Sequence, residues 1–296
     1  MTTIYKSAGS ARRIHELYRE ILSRWPVPSQ HLRLPTREGE TFVIACGPES
    51  APPLLLFHGA GANSATWIAD VPKWAAHFRV YAVDMIGEPG LSAPCRPSLS
   101  SDAHALWLDD VVRGLSLEHV AIVGVSLGGW LALDYAIRRP ERVERLALFC
   151  PGGVGRQKVA IVFAALALRM CGPWGKRKLM QRILGRRLAD PTAGVKAFID
   201  FVELIHEQFR PRMVKLPIFP DHALRRLKIP LLAVVGGRDV ILDSLETKRR
   251  LERQVPGAEV VYLPTTGHFI PDLSGRTLPF LLREPSNLRS IPPPMS

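Results

Sequence analysis

The stretch HVAIVGVSLGGWLAL, residues 119–133, decides how the chain is read. Its first part is a run of β-formers and its last part an apolar, helix-forming segment. Between them stands Ser126, with Gly124 and Gly128 two positions to either side. A strand that turns into a helix around one residue strains that residue's backbone and crowds the neighbours two positions away, and glycine relieves the crowding. Strand, G-x-S-x-G, helix is the context in which a serine is exposed at a sheet edge as a nucleophile, with a helix N-terminus behind it. A small-residue loop without chemistry is the plain alternative, and the rest of the chain decides between the two.

On both sides of this stretch, strand-like and helix-like segments alternate. PPLLLFHG, RVYAVDMIG and VERLALFCP read as strands, and TWIADVPKWAAHF (66–78) and SSDAHALWLDDVVRGL (100–115) as helices, the latter capped by Ser101. Upstream, SARRIHELYREILSRW (10–25) carries Ile14, Leu17, Tyr18, Ile21, Leu22 and Trp25 on one helical face, with Ser10 as its cap. HLRLPT and TFVIACG, joined by the turn REGE, form two further strands. Downstream the alternation resumes with IPLLAVVGGRD (229–239), the helix SLETKRRLERQV, and the strand AEVVYLPTTGH. This pattern predicts an α/β fold: a mostly parallel sheet with helices on both faces. Residues 152–228 read as helical throughout, so a helical cap inserted between strands is expected there. The core then comprises residues 1–151, with an N-terminal helical extension, and residues 229–296.

Composition excludes several function classes. Of 296 residues, 47 % are hydrophobic and 22 % charged, as in soluble globular proteins. MTTIYKSAGSARR has no apolar signal-peptide core. The longest apolar run, VAIVFAALAL (159–168), is too short for a membrane span. Cys46, Cys95, Cys150 and Cys171 show no C-x-x-C spacing, so a reducing cytoplasm is expected. The net charge is +12, and residues 152–228 hold sixteen Lys and Arg against five Asp and Glu. No nucleic-acid-binding motif accompanies that charge, so it reads as a solvated surface and no nucleic-acid partner is expected. There is no H-E-x-x-H and no clustered Cys/His, hence no expected metal or other cofactor. Monomer and dimer both stay open.

A serine hydroxyl needs a base. Asp239 follows one predicted strand and His268 the next, which brings both to the sheet edge that holds Ser126, in the chain order Ser, Asp, His. His268 is the expected base and Asp239 the acid that fixes its tautomer. Asp243 is the rival acid and Glu246 a weaker one. An oxyanion needs two backbone donors. Leu127, after the nucleophile, offers one. FHGAGANS (57–64) offers the other, with Ala60 first and Gly61 second. His58 precedes the sharp turn and reads as structural.

The chain resembles the α/β-hydrolase superfamily, and within it the bacterial carboxylesterase NP group. The resemblance rests on LLLFHGAGANSATW, YAVDMIGEPGLSAP, LWLDDVVRGLSLEHVAIVGVSLGGWLALDYAIRRPERV, IPLLAVVGGRD and LPTTGHF. It implies an α/β-hydrolase fold with a helical cap and a cofactor-free serine esterase. In one place the chain departs from the superfamily: its usual D-x-x-G-x-G-x-S turn appears as DMIGEPGLS (84–92), one residue longer at Glu88 and Pro89, beside the expected pocket.

The expected reaction is cleavage of a small-molecule carboxylic ester through an acyl-enzyme on Ser126. Gly61, Trp67, Trp130, Phe198 and Phe201 are the candidate substrate-lining residues, each set against plain core packing. The scaffold also hosts C–C bond hydrolases, lactonases, thioesterases, perhydrolases and non-catalytic binding proteins, and a fold does not fix a function. An intact Ser–Asp–His set argues against the last of these.

Overall fold

The computed structural model describes residues 4–158, 193–212 and 214–284, with side chains from 198 onward in the second segment. Within them, one sheet is built from β1 (Ser29–Thr36), β2 (Gly39–Cys46), β3 (Pro53–Phe57), β4 (Arg79–Val83), β5 (Val120–Val125), β6 (Val143–Phe149), β7 (Leu231–Gly236) and β8 (Glu259–Leu263). Their spatial order is β1-β2-β4-β3-β5-β6-β7-β8. The β1/β2 and β2/β4 pairs are antiparallel, and β4 through β8 run parallel. The α-helices are α1 (Ala8–Leu22), before the first strand, α2 (Val71–Ala75), α3 (Ala103–Gly114), α4 (Leu127–Arg138), α5 (Ala193–Gln208), α6 (Asp221–Leu224) and α7 (Ser244–Gln254), between strands, and α8 (Leu273–Leu281), after the last.

The central strands are apolar on both faces, as strands covered on both sides must be. The period of two then splits them between two cores. Leu55, Phe57, Tyr81, Val83 and Ile122 join Trp107, Trp130 and Tyr135 on one face of the sheet. Leu54, Leu56, Val80, Ala82 and Val123 join Tyr18, Trp67, Trp74 and Phe201 on the other.

Three local expectations are corrected. The cap of α1 is Ser7, not Ser10, for the Ser7 hydroxyl accepts the Ser10 N–H at 3.0 Å. The single helix expected over 66–78 is two pieces, a 3₁₀ turn at Ser64–Trp67 and α2. Pro72 explains the break: it has no N–H to continue the first piece but fits the opening turn of the second. Asp102 directly precedes α3 and its side chain makes no cap bond, so the third correction is of position only: the Ser101 hydroxyl still accepts the N–H of Ala103, the first residue of the helix, at 3.3 Å.

Between β6 and β7 the described helices are α5 and α6. On α5, Phe201, Leu204 and Ile205 are buried in the same cluster as Ile14, Tyr18 and Leu22 of α1. Phe201 stacks on Tyr18 at 5.9 Å between ring centres. The apolar run VAIVFAALAL lies outside the described residues. Among the described residues no helix is long and apolar enough to cross a membrane.

Candidate active site

The parallel register sets the site. Phe57 pairs with Gly124, Val125 with Phe149, Phe149 with Val234, and Gly236 with Leu263. Strands in this register end together, so the segments that follow β3, β5, β7 and β8 emerge at one C-terminal edge. Those segments carry His58–Gly61, Ser126, Asp239 and His268. Ligands bind at that edge in open parallel sheets.

Ser126 lies between β5 and α4 at φ 53°, ψ −108°, a left-handed conformation that costs a serine on the order of 1–3 kcal/mol. The flanking glycines are needed for space. A Cβ on Gly124 would approach the Gly128 carbonyl oxygen to 2.6 Å, and one on Gly128 would approach the Phe57 carbonyl oxygen to 2.1 Å. The turn is anchored by the Ser126 N–H on the Phe149 carbonyl and by the Trp130 and Gly152 N–H groups on the Ser126 carbonyl. Leu127 opens α4, so its N–H has no acceptor within the helix and the positive end of the helix dipole lies at Ser126.

His268 Nδ1 bonds Asp239 Oδ2 at 2.7 Å. The other carboxylate oxygen of Asp239 accepts the N–H groups of Ile241 at 2.7 Å and Leu242 at 3.0 Å. Burial pushes the Asp239 carboxyl up, but His268 and the two amides outweigh it and hold it below the usual carboxylate range. With Nδ1 donating to Asp239, Nε2 is left as the free, basic nitrogen. The rival acid is otherwise engaged: Asp243 caps α7 by accepting the Glu246 N–H at 3.0 Å. Glu246 pairs with Arg156 at 3.2 Å. Cys150, buried at the end of β6, brings its sulfur within 4.8 Å of the Asp239 and His268 ligand atoms; burial and the Asp239 charge keep its thiol protonated.

Across the edge, His58 is fully buried. Its Nε2 accepts the Met85 N–H at 3.0 Å, so Nδ1 carries the proton and donates to the Gly59 carbonyl at 2.9 Å. Burial lowers its pKa, which keeps it neutral. It is a clip between two loops, as its place before the turn suggests. Ala60 lies exposed in that turn. Gly61, the second expected donor, has its N–H committed: it donates to Glu88 Oε2 at 2.6 Å.

The expected substrate-lining residues separate. Trp67 is fully buried and meets Trp74 edge-to-face at 5.8 Å, and Phe201 is core beneath α5, so both follow the packing alternative. Phe198 is half-buried. Trp130 stacks on Phe219 at 5.7 Å and, with Met85, Glu88, His104, Leu127 and Arg212, lines a cavity of about 10 Å³, room for about one water. Glu88 lies in the lengthened DMIGEPGLS turn that the sequence marks beside the expected pocket, whereas His104 and Arg212 carry no sequence signal for this place.

A model of the alpha/beta hydrolase family matches residues 54–276, more than half of the chain. The chain belongs to the alpha/beta hydrolase family. Among its relatives, "Uncharacterized carboxylesterase nap" of Bacillus subtilis (strain 168) is 32% identical over 91% of this chain and 90% of its own length. The solved structure of naproxen esterase (carboxylesterase NP) from Bacillus subtilis is 30% identical, with a TM-score of 0.80 over 93% of this chain and 99% of that one. Carboxylesterase CesB (YbfK) from Bacillus subtilis is 29% identical, with a TM-score of 0.80 and the same coverage. In this alpha/beta hydrolase the mostly parallel eight-stranded sheet with its helices is that of its family.

Proposed function

We propose that the protein is a carboxylesterase that cleaves small-molecule esters through an acyl-enzyme on Ser126. The observation that carries this reading is the His268–Asp239 bond at 2.7 Å at the sheet edge where Ser126 sits on its strained turn. Carboxylesterase relatives over nine-tenths of the chain support it. The Ser126 hydroxyl attacks the ester carbonyl carbon while its proton passes to His268 Nε2. The carbonyl oxygen becomes an oxyanion, held by the N–H groups of Leu127 and Ala60. Asp239 stabilises the imidazolium and does not itself take the proton. As the C–O bond breaks, the alcohol leaves with the proton from His268. Water then repeats the sequence on the acyl-enzyme and releases the acid.

Residues 152–228 are assigned as a cap over this edge, with Phe198 as its acyl-side candidate and Trp130 of α4 as a pocket-lining candidate beneath it. The unpaired Cys46, Cys95 and Cys150 support placing the protein in the cytoplasm. Fluorophosphonate labelling of the purified chain, followed by a p-nitrophenyl ester chain-length series, tests the reaction. Ser126→Ala should abolish labelling and lower kcat by about 10⁶-fold with the fold intact. A variant that keeps more than a few per cent of activity overturns the reading.

A further inference from the structure

Glu88 is an expensive residue to keep where it is. The residue is 1% exposed, and its Oε1 is buried with no hydrogen-bond partner. A buried polar group left unpaired costs on the order of 1–3 kcal/mol, and more when charged. Burial pushes the carboxyl up to about 7, against the opposing pull of the Gly61 amide, Arg96 and Arg212. The other oxygen, Oε2, accepts the Gly61 N–H. The segment 58–64 is tied to the segment 84–92 elsewhere by neutral contacts, His58 to Met85 at 3.0 Å and the Asn63 amide to the Pro89 carbonyl at 2.9 Å. Ser64 adds two bonds to Asp84. Within the chain between His58 and Asn63, His58 holds the Gly59 carbonyl and Glu88 holds the Gly61 N–H.

Gly61 is the joint that needs it. Its φ is +66°, yet a Cβ there would meet nothing within 4 Å. Glycine is required at this point for its backbone conformation and not for room. Glycine adopts positive and negative φ about equally readily, so the peptide between Ala60 and Gly61 can rotate unless something holds it. We propose that Glu88 is a positioning residue for the reaction: the Gly59–Ala60 peptide, which carries the Ala60 N–H, is held at its carbonyl by His58 Nδ1, and Glu88, by accepting the Gly61 N–H, holds the next peptide, so that Ala60 is fixed from both sides with its N–H turned toward the developing oxyanion. The proposal rests on the reading of Ala60 as an oxyanion donor. Glu88 touches neither the substrate nor Ser126 in this role. The carboxyl that reaches Gly61 is carried on the lengthened DMIGEPGLS turn.

The test uses the full chain with Glu88→Ala, Glu88→Met and Glu88→Gln, each checked for folding by circular dichroism and thermal unfolding. Loss of one oxyanion donor lowers kcat by about 10²–10³-fold. Glu88→Ala and Glu88→Met should lower kcat on p-nitrophenyl butyrate by about 10²-fold and leave KM within a few-fold. Glu88→Gln, which keeps an acceptor, should return to within a few-fold of the parent. Binding of an alkylboronic acid, which adds to Ser126 and places an oxygen where the oxyanion forms, should weaken in step with kcat in Ala and Met and recover in Gln. Unchanged kcat in the Ala and Met variants, a loss confined to KM, or equal loss in Gln overturns the proposal. Failure of both Ala and Met to fold also overturns it, because Glu88 would then be structural. Fluorophosphonate labelling separates this from the underlying reading: if Ser126 labels normally while the Glu88 variants behave like the parent, only the positioning role falls.

Discussion

Two buried carboxyls flank the strained serine, and they are kept in opposite ways. Asp239, at the His268 side, has every bond a carboxylate wants: two amides on one oxygen and His268 on the other. Its pKa is held down despite burial. Glu88, at the Ala60–Gly61 side, has one amide and an orphaned oxygen, and its pKa rises to about 7. Burial is nearly equal for the two, at 1% exposure each. The difference is therefore the number of donors supplied, not the depth. A fully bonded carboxylate stabilises the fold near neutral pH, whereas a half-bonded one opposes it.

The contrast breaks most visibly in rate. Asp239→Asn should lower kcat by about 10⁴-fold, through loss of the tautomer and of imidazolium stabilisation. Kinetics on a p-nitrophenyl ester checks it, and a loss under tenfold would remove the acid role.

Stability against pH gives the next largest effect, with opposite signs at the two sites. Asp239 is depressed in the fold, so its contribution is present above the ordinary carboxylate range and fades as pH falls through its lowered value. Glu88 is raised from 4.5 to about 7, so the fold binds the extra proton between those values. Its destabilising contribution is absent below about 4.5 and complete above about 7, on the order of 3 kcal/mol. Glu88→Gln should gain stability relative to the parent between pH 5 and pH 8, as measured by urea unfolding, while Asp239→Asn loses it. A pH-independent Glu88→Gln difference would mean that neighbouring Arg96 and Arg212 already keep the carboxylate ionised.

The smallest effect sharpens which carboxylate belongs to the site. Asp243→Asn should leave kcat within a few-fold and change stability by about 1 kcal/mol or less, because Asn also caps helices. If it harmed kcat more than Asp239→Asn, the two aspartates would have to exchange roles.

Ser126, Asp239 and His268 were legible because each depends on local pattern alone: a glycine-flanked serine between strand and helix, and two polar residues just after apolar runs. Parallel strands in register then carry such residues to one edge whatever their separation along the chain. The same logic made the alternation of strands and helices readable, and with it the fold class. Helix ends were read less well, since Ser7 and Ser10 are equally good caps by composition and the choice depends on which backbone N–H is left unpaired. The choice between Asp239 and Asp243 likewise lies beyond periodicity, because it turns on direction: the Asp239 side chain bonds His268, whereas that of Asp243 turns back onto α7.

The sequence by itself determined the sheet, the strained serine and the order of the three polar residues, because period-two burial and glycine sterics act over a few neighbouring residues. Only the tertiary structure decided that Trp67 and Phe201 are core, that Gly61 is bonded away from the oxyanion, and that Glu88 does the bonding. Gly61 and Glu88 are 27 positions apart, and their 2.6 Å contact exists only because β3 and β4 lie side by side and open their loops at the same edge.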